Sequence, residues 1–375
     1  MQSTKAWEQL LTTTAAGPYV SLYLPLSENR DMAAHQLELR HLIHHAQAVM
    51  AEVYPECDWL PYAEQLARLA DTPQRTLGQT ATGLGVICTP ATLTTFELQI
   101  PVTTTAMVAA RPQILPLIAD AKSRQELDVL VLQSDKITLL HTDHHTLTPI
   151  DLPADAPQTL TGTLGTQVRG GGINSVSRGP GQVGYHGHGD KANADAADMR
   201  RFFQAVDDYI MTHYSQPHQQ ALALWGAPQT LSAFRAISHN PWLIDVQLEL
   251  NPEPLDSAAC ARAAVALHQD LATIHQHQLL AMIDQARSAK RLSRDLGTII
   301  HASQAHAIEH LLIADTQRIH GTIVAGALET ATAEAKHNNV LNDLAIITLQ
   351  QGGQVTILPT AQLSAPVVAI TRYQL

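Results

Sequence analysis

Ten of the chain's 20 glycines fall in one window, GTLGTQVRGGGINSVSRGPGQVGYHGHGDKANAD, residues 162–195. Glycine loses more backbone freedom on ordering than any other residue, and this window holds few large apolar side chains to offset that loss. It therefore reads as a long flexible loop, and loops of this length inside a compact domain are functional or disordered. Any fold for this chain must hold the window between structured segments. Upstream, ELDVLVLQSDKITLLHTDHHTLTPIDLP reads as apolar strands joined by turns at Ser134-Asp135 and at TDHHT. Downstream, DAADMRRFFQAVDDYIMTHY reads as an amphipathic helix, with Met199, Phe202, Phe203, Val206 and Ile210 on one stripe and Asp195 as its expected N-cap. ALALWG (221–226) then reads as a buried strand and TLSAFRAIS as a further helix.

The flanking segments alternate in the same way. In YVSLYLPL, Val20, Leu22, Leu24 and Leu26 recur with strand period. A helix is expected over 31–54, with Leu37, Leu39, Leu42, Ile43 and Val49 on its apolar side. GLGVIC (83–88) and TTFELQIPV (94–102) read as strands. Pro112 and Pro116 punctuate the chain before residue 120, and NPEPLD (251–256) punctuates it again. Helical segments follow to about residue 290, then the short apolar runs HLLIAD, LAIITL, VTILP and APVVAI. A chain of 375 residues exceeds one ordinary core. The expectation is a three-domain α/β protein: an N-terminal α/β domain at 1–120, a middle domain at 121–255 carrying the loop 162–195, and a C-terminal α/β layered domain at 256–375.

Composition excludes several classes. At 45% hydrophobic and 15% charged residues the chain suits a folded globular protein and not a disordered one. No apolar run reaches the roughly 18 residues of a membrane span, and MQSTKAWEQLLTTT does not read as a signal peptide. Cys57, Cys88 and Cys260 are odd in number and far apart, which fits reduced thiols and a cytoplasmic location. The net charge of −11 argues against a general nucleic-acid coat, and no DNA partner is expected, although a local basic patch can still meet RNA. Full protonation of the 20 histidines would add 20 charges to −11 and give +9. Compositional drift is the plain reading of that excess, and a pH switch the sharper one.

The candidate chemistry gathers in the glycine-rich window. His186 and His188, two apart and close to Asp190, are the candidate catalytic pair for acid–base work. No third ligand stands at a metal-site spacing, so no metal and no cofactor are expected. No Gly-x-x-x-x-Gly-Lys-Ser/Thr and no Gly-x-Ser-x-Gly is present, which argues against a nucleotide P-loop and a hydrolase elbow. Arg169, Arg178, Lys191, Arg200 and Arg201 surround the glycines Gly170, Gly171 and Gly172. With Gln182, and with Tyr185 as a stacking face, they form the candidate RNA-binding set, set against the plainer reading of a solvated helix end. His141, Asp143, His144 and His145 read as a polar hairpin tip, and His301, His306 and His310 as surface or core residues near a helix.

One tripeptide invites a quick assignment. Gly352-Gly353-Gln354 spells the peptide-release motif, yet it lies between LAIITL and VTILP, where paired glycines read as the turn of a strand hairpin. The residues around it are the more informative part. NDLAIITLQQGGQVTILP followed by APVVAITRY, and AHAIEHLLIAD upstream, resemble the C-terminal domain of archaeo-eukaryotic peptide-chain release factors and their Pelota-like relatives. YHGHGD with its following helix, together with YVSLYLP, resembles the bacterial proteins grouped as archaeo-eukaryotic release factor-like. The resemblance implies a C-terminal fold of kink-turn-binding ribosomal-protein type, and a working loop in the middle domain where the glycine-rich window stands. Here that loop has Gly170-Gly171-Gly172 with no glutamine following, and GPGQ places Gln182 behind a proline, so release chemistry is not carried over.

The resulting expectation is a cytoplasmic, ribosome-associated translation factor of release or rescue type, with rRNA or tRNA as partner and a further protein partner through the C-terminal domain. The alternatives are an RNA or ester hydrolase using the loop histidines, and a protein–protein adaptor on a release-factor scaffold.

Overall fold

A computed structural model describes residues 6–12, 17–26, 32–71, 81–123, 126–133, 135–143, 146–165, 188–252 and 254–374. In chain order, β1 (Tyr19–Pro25) leads to α1 (Met32–Val53) and α2 (Leu60–Asp71), then β2 (Gly83–Cys88), β3 (Leu93–Leu98), β4 (Thr105–Ala109) and α3 (Leu115–Ser123). The middle of the chain holds β5 (Leu127–Leu132), β6 (Ile137–Asp143), β7 (Thr146–Pro149), α4 (Leu160–Leu164) and α5 (His188–Ile210). A π-helical turn at Met211–Ser215 runs into α6 (Gln216–His218), and β8 (Leu222–Gly226), α7 (Pro228–Arg235) and β9 (Leu243–Leu248) complete this part. The remainder comprises α8 (Ser257–Ser288), β10 (Leu292–Ser293), α9 (Leu296–Gln304), β11 (Ile308–Ala314), the ribbon β12 (Thr322–Val324) and β13 (Ala327–Glu329), α10 (Ala333–His337), α11 (Val340–Gln350), β14 (Gln354–Leu358) and β15 (Val367–Thr371). No described helix is long and apolar enough to cross a membrane.

Contacts divide the chain into two compact units, one of residues 1–123 with 279–375 and one of residues 124–278. The first unit contains two four-stranded sheets, ordered β3-β2-β1-β4 and β10-β15-β11-β14. In the first of these, β1 pairs antiparallel with β2 and β4, and α1 and α2 cover one face through Leu39, Met50, Tyr62 and Leu66. In the second, β11 and β14 run parallel, which requires a crossover, and α11 supplies it. One core joins both halves of this unit, with Ile114, Leu117 and Ile118 of the earlier segment packed among Ile299, Leu311, Leu344 and Val355 of the later one.

The second unit is built on a five-stranded sheet ordered β7-β6-β5-β8-β9, in which β5, β8 and β9 are parallel and β5-β6-β7 form an antiparallel meander. The pleat sorts the central strand. Leu127, Val129 and Val131 face Ala263, Leu267 and Leu271 of α8, whereas Leu130 and Leu132 face Phe202, Phe203 and Val206 of α5. The expected stripe on α5 is the buried one, although the helix begins at His188. Asp195 is therefore an exposed residue inside the helix and not its N-cap.

LAIITL is not a strand but most of α11, so Gly352 and Gly353 join a helix to a strand and no hairpin forms. Gly352 takes φ +74°, the left-handed conformation that ends many helices. Its N–H donates to the Leu349 carbonyl at 3.0 Å, and that of Gly353 to the Thr348 carbonyl at 2.9 Å. A Cβ on Gly353 would lie 2.6 Å from Thr348 Cγ2 and 2.9 Å from the Ile308 carbonyl oxygen, so nothing larger fits. Gln354 is exposed as the first residue of β14.

Candidate functional site

Most of the residues singled out from the sequence lie outside the described residues: Arg169, Gly170, Gly171, Gly172, Arg178, Gln182, Tyr185 and His186. His188 and Lys191 belong to the first turn of α5, and their side chains also fall outside the described part. Arg200 and Arg201 are described, and they differ. Arg200 is exposed, whereas Arg201 is ion-paired through Nη2 with Asp198 Oδ1, one turn earlier and itself buried. A guanidinium held by a carboxylate on its own helix is less available to a phosphate than a solvated one.

The helix that follows the glycine-rich window is fixed at its other end by polar contacts. Buried Asp207 accepts from Ser238 Oγ at 2.5 Å and from the His239 N–H at 2.7 Å. Beyond α5, Asn240 donates to Ser215 Oγ at 2.9 Å. These bonds and the Phe202–Phe203–Phe234 ring cluster hold α5 on the sheet.

On the same sheet face lies a pair that sequence reading did not assemble. Asp128 of β5 and His141 of β6 are direct cross-strand partners, and His141 Nδ1 meets Asp128 Oδ1 at 2.9 Å. The Asp128 side chain is 6% exposed and that of His141 36% exposed, so the carboxylate is enclosed while the imidazole edge reaches solvent. Burial pushes the Asp128 carboxyl up from its usual range, and His141, with His218 further off, opposes that shift. Tyr214, just past α5, is raised by burial and then by the charges of Tyr209, Asp128 and Asp155, which places it in the same electrostatic neighbourhood. The Tyr209 and His213 rings stand 4.3 Å apart.

This arrangement orients an imidazole. With Nδ1–H donated to a buried carboxylate, Nε2 points outward and can accept or deliver a proton. His141 is thus an interior residue of β6 backed by Asp128, and not part of a polar hairpin tip. The signal available in the sequence was a single Asp inside the otherwise apolar run LDVLVL, which calls for a partner. Among the described residues no group of three or more His, Cys, Asp or Glu is placed to hold a metal ion.

Residues 125–270, which span this sheet, α5 and the glycine-rich window, match the family model described as bacterial archaeo-eukaryotic release factor family 6. No curated protein matches the chain. Among solved structures, the archaeal translation termination factor aRF1 is 14% identical, with 98% of this chain and 96% of that chain covered and a TM-score of 0.23. Pelota of Archaeoglobus fulgidus is 12% identical over 79% of this chain and 81% of its own, with a TM-score of 0.32. Dom34 of S. cerevisiae is 11% identical over 78% and 75%, with a TM-score of 0.37. Values at this level carry no conclusion about function. Over residues 125–270 the chain is release factor-like, similar in that segment to bacterial archaeo-eukaryotic release factor family 6.

Proposed function

We propose that the protein is a cytoplasmic, ribosome-associated translation factor of release or rescue type. The observation that carries this reading is the family match over 125–270, because the matched segment includes the glycine-rich window between α4 and α5. In this reading the window is the working loop. His186 and His188 are its candidate chemical groups, and Arg169, Arg178, Gln182, Tyr185 and Lys191, the glycines Gly170–Gly172, Arg200 and Arg201 meet rRNA or tRNA. Glycines allow close backbone approach and cations meet phosphate within an otherwise acidic chain. Arg201 is the weakest member of that set, since Asp198 already holds it.

The reading also retains the division into segments 1–120, 121–255 and 256–375, a C-terminal fold of kink-turn-binding type, and a protein partner there. The tripeptide Gly352-Gly353-Gln354 has no part in it. Gly352 and Gly353 are needed for the helix end and the tight approach to Ile308, which is a structural task.

Sedimentation of tagged full-length protein through a polysome gradient tests the proposal. The expected result is co-migration with ribosomal subunits or monosomes, lost when salt is raised, since phosphate contacts weaken as counterions compete. Migration only at the top of the gradient under all conditions overturns it. The triple change Arg178→Ala, His186→Ala and His188→Ala should abolish complementation of a deletion strain without changing the melting temperature. Full complementation by a normally melting triple variant would show the loop to be dispensable.

A further inference from the structure

No step of the proposed function uses the carboxylate-backed imidazole of His141, yet the chain beside it is irregular in two ways. Helix α5 does not run directly into β8. It widens into the π-helical turn Met211–Ser215, and α6 then stops at Gln219, a non-glycine residue in the left-handed conformation at φ 50° and ψ 38°. Single-turn π segments recur at functional sites, and left-handed residues other than glycine persist only where their surroundings hold them. Two backbone bonds tie this segment to the Asp128–His141 pair. The Gln220 N–H donates to the Ser215 carbonyl at 2.9 Å, and the Asp128 N–H donates to the Ala221 carbonyl at 2.9 Å.

The side chains gathered there have complementary chemistry. Asp128 occupies Nδ1 of His141 and leaves Nε2 to face solvent. Tyr214 brings a hydroxyl that burial raises, so it keeps its proton at neutral pH, and among the described residues nothing accepts a hydrogen bond from it. Tyr209 adds a ring face, 6.4 Å from the Tyr214 ring and 4.3 Å from that of His213. The other charges acting on Asp128 and Tyr214 are those of His218, Tyr209 and Asp155, with no lysine or arginine among them. A proton acceptor, a hydroxyl donor and aromatic rings therefore meet where nothing attracts an anion.

We propose that Asp128, His141 and Tyr214 form a site that hydrolyses an uncharged carboxylic ester. His141 Nε2 takes a proton from water as the water oxygen bonds to the ester carbonyl carbon, and the Tyr214 hydroxyl donates to the oxygen that becomes negative. The bond from that carbon to the alkoxy oxygen then breaks. The imidazolium gives its proton to the departing alkoxide, which leaves a carboxylic acid and an alcohol. Asp128 is a positioning residue, because it acts through His141 by holding the Nδ1–H tautomer. An RNA-borne ester does not suit the site, since Asp128 and Asp155 repel its phosphates and no cation offsets them. The activity is separate from the glycine-rich window and does not depend on the translation reading.

Acid release by the full chain, followed in a pH-stat, tests it with two esters: methyl phenylacetate, which is uncharged, and its anionic 4-carboxy analogue. The first is expected to be hydrolysed with saturation and to be preferred at least about tenfold in kcat/KM, because like charges disfavour the second. His141→Asn keeps a donor for Asp128 but removes Nε2, so it should lose at least about a hundredfold in kcat while its melting temperature holds. Tyr214→Phe should lower kcat about tenfold or more and leave KM nearly unchanged, the mark of a bond made to the developing oxyanion. Asp128→Asn should lower kcat, spare KM and displace the acid limb of the pH–rate profile, which a merely structural carboxylate would not do. Acid release no faster than in buffer, full activity in His141→Asn, or equal kcat/KM for the two esters overturns the proposal.

Discussion

Two histidine sites, His141 in the second unit and His310 in the first, use the same side chain to opposite ends. His141 is backed by the enclosed carboxylate of Asp128. His310, on β11, is itself enclosed at 7% exposure and meets Thr356 Oγ1 through Nε2 at 2.7 Å, while the Lys122 ammonium bonds to the same hydroxyl. Burial, and then the Lys122 charge, hold the His310 imidazole down to about 4, so it is neutral at pH 7. In the first site the buried group that resists its charge is the acid; in the second it is the base. The comparison teaches that the histidine count says nothing about pH response until each partner is known. Acidification relieves Asp128 and burdens His310.

His310 binds its proton near pH 6.5 when unfolded and near 4 when folded, so its stabilising contribution is complete above 6.5 and is lost as pH falls towards 4. For Asp128 the folded carboxyl is raised, so the folded state gains relative stability as pH falls through that raised value.

The sharpest way to break the contrast is His141→Ala. It leaves the Asp128 carboxylate buried without its imidazole, and the expected loss at pH 7 is about 3 kcal/mol by urea unfolding. That loss should shrink at acidic pH, where Asp128 takes a proton; an equal loss at both pH values would mean that packing and not charge holds the pair. His310→Gln should act in the other direction. At neutral pH it should cost little, while removing most of an acid-side decline of about 3 kcal/mol between pH 6.5 and 4. A wild-type stability profile that is already flat over that window would refute the neutral-histidine account.

Smaller changes sharpen the comparison further. Gly353→Val presses on Thr348 and on the Ile308 carbonyl beside β14, the strand that carries Thr356. It should cost about 1–3 kcal/mol and disturb the His310 profile while sparing the Asp128–His141 pair, which NMR of the two imidazoles would resolve. Gln354→Ala, on the exposed neighbouring position, should stay within about 0.5 kcal/mol and leave both profiles unchanged. Should the ranking of these two be reversed, the glycine pair would no longer be explained by geometry.

Much of the architecture could be read in advance, and the exceptions have physical reasons. The stripe on α5 is legible because the helix is half-buried, so period 3.6 shows in the letters, whereas β5 is buried along its whole length and is legible as a short apolar run bounded by turn signals. Helix α11 was misread because Val340, Leu341, Leu344, Ala345 and Ile346 are all buried along with Asn342, Asp343 and Thr348, which erases the period and leaves a run that resembles a strand. Asp195 failed as an N-cap because the helix extends seven residues further back. For the site, the glycine-rich window was conspicuous by composition, whereas Asp128 and His141 stand 13 residues apart and meet only through strand register.

The discontinuity of the first unit bears on how the chain reaches its native state during synthesis. Residues 1–123 leave the ribosome before the rest, but Ile114, Leu117 and Ile118 complete their core only with Ile299, Leu311 and Leu344, made about 180 to 230 residues later. The second unit, encoded in one stretch between them, can form as soon as it emerges. The nascent chain thus passes through an interval in which one unit can be finished and the earlier one still shows an apolar flank. Holdase capture should be greatest in that interval and should end once α11 and β14 have been made.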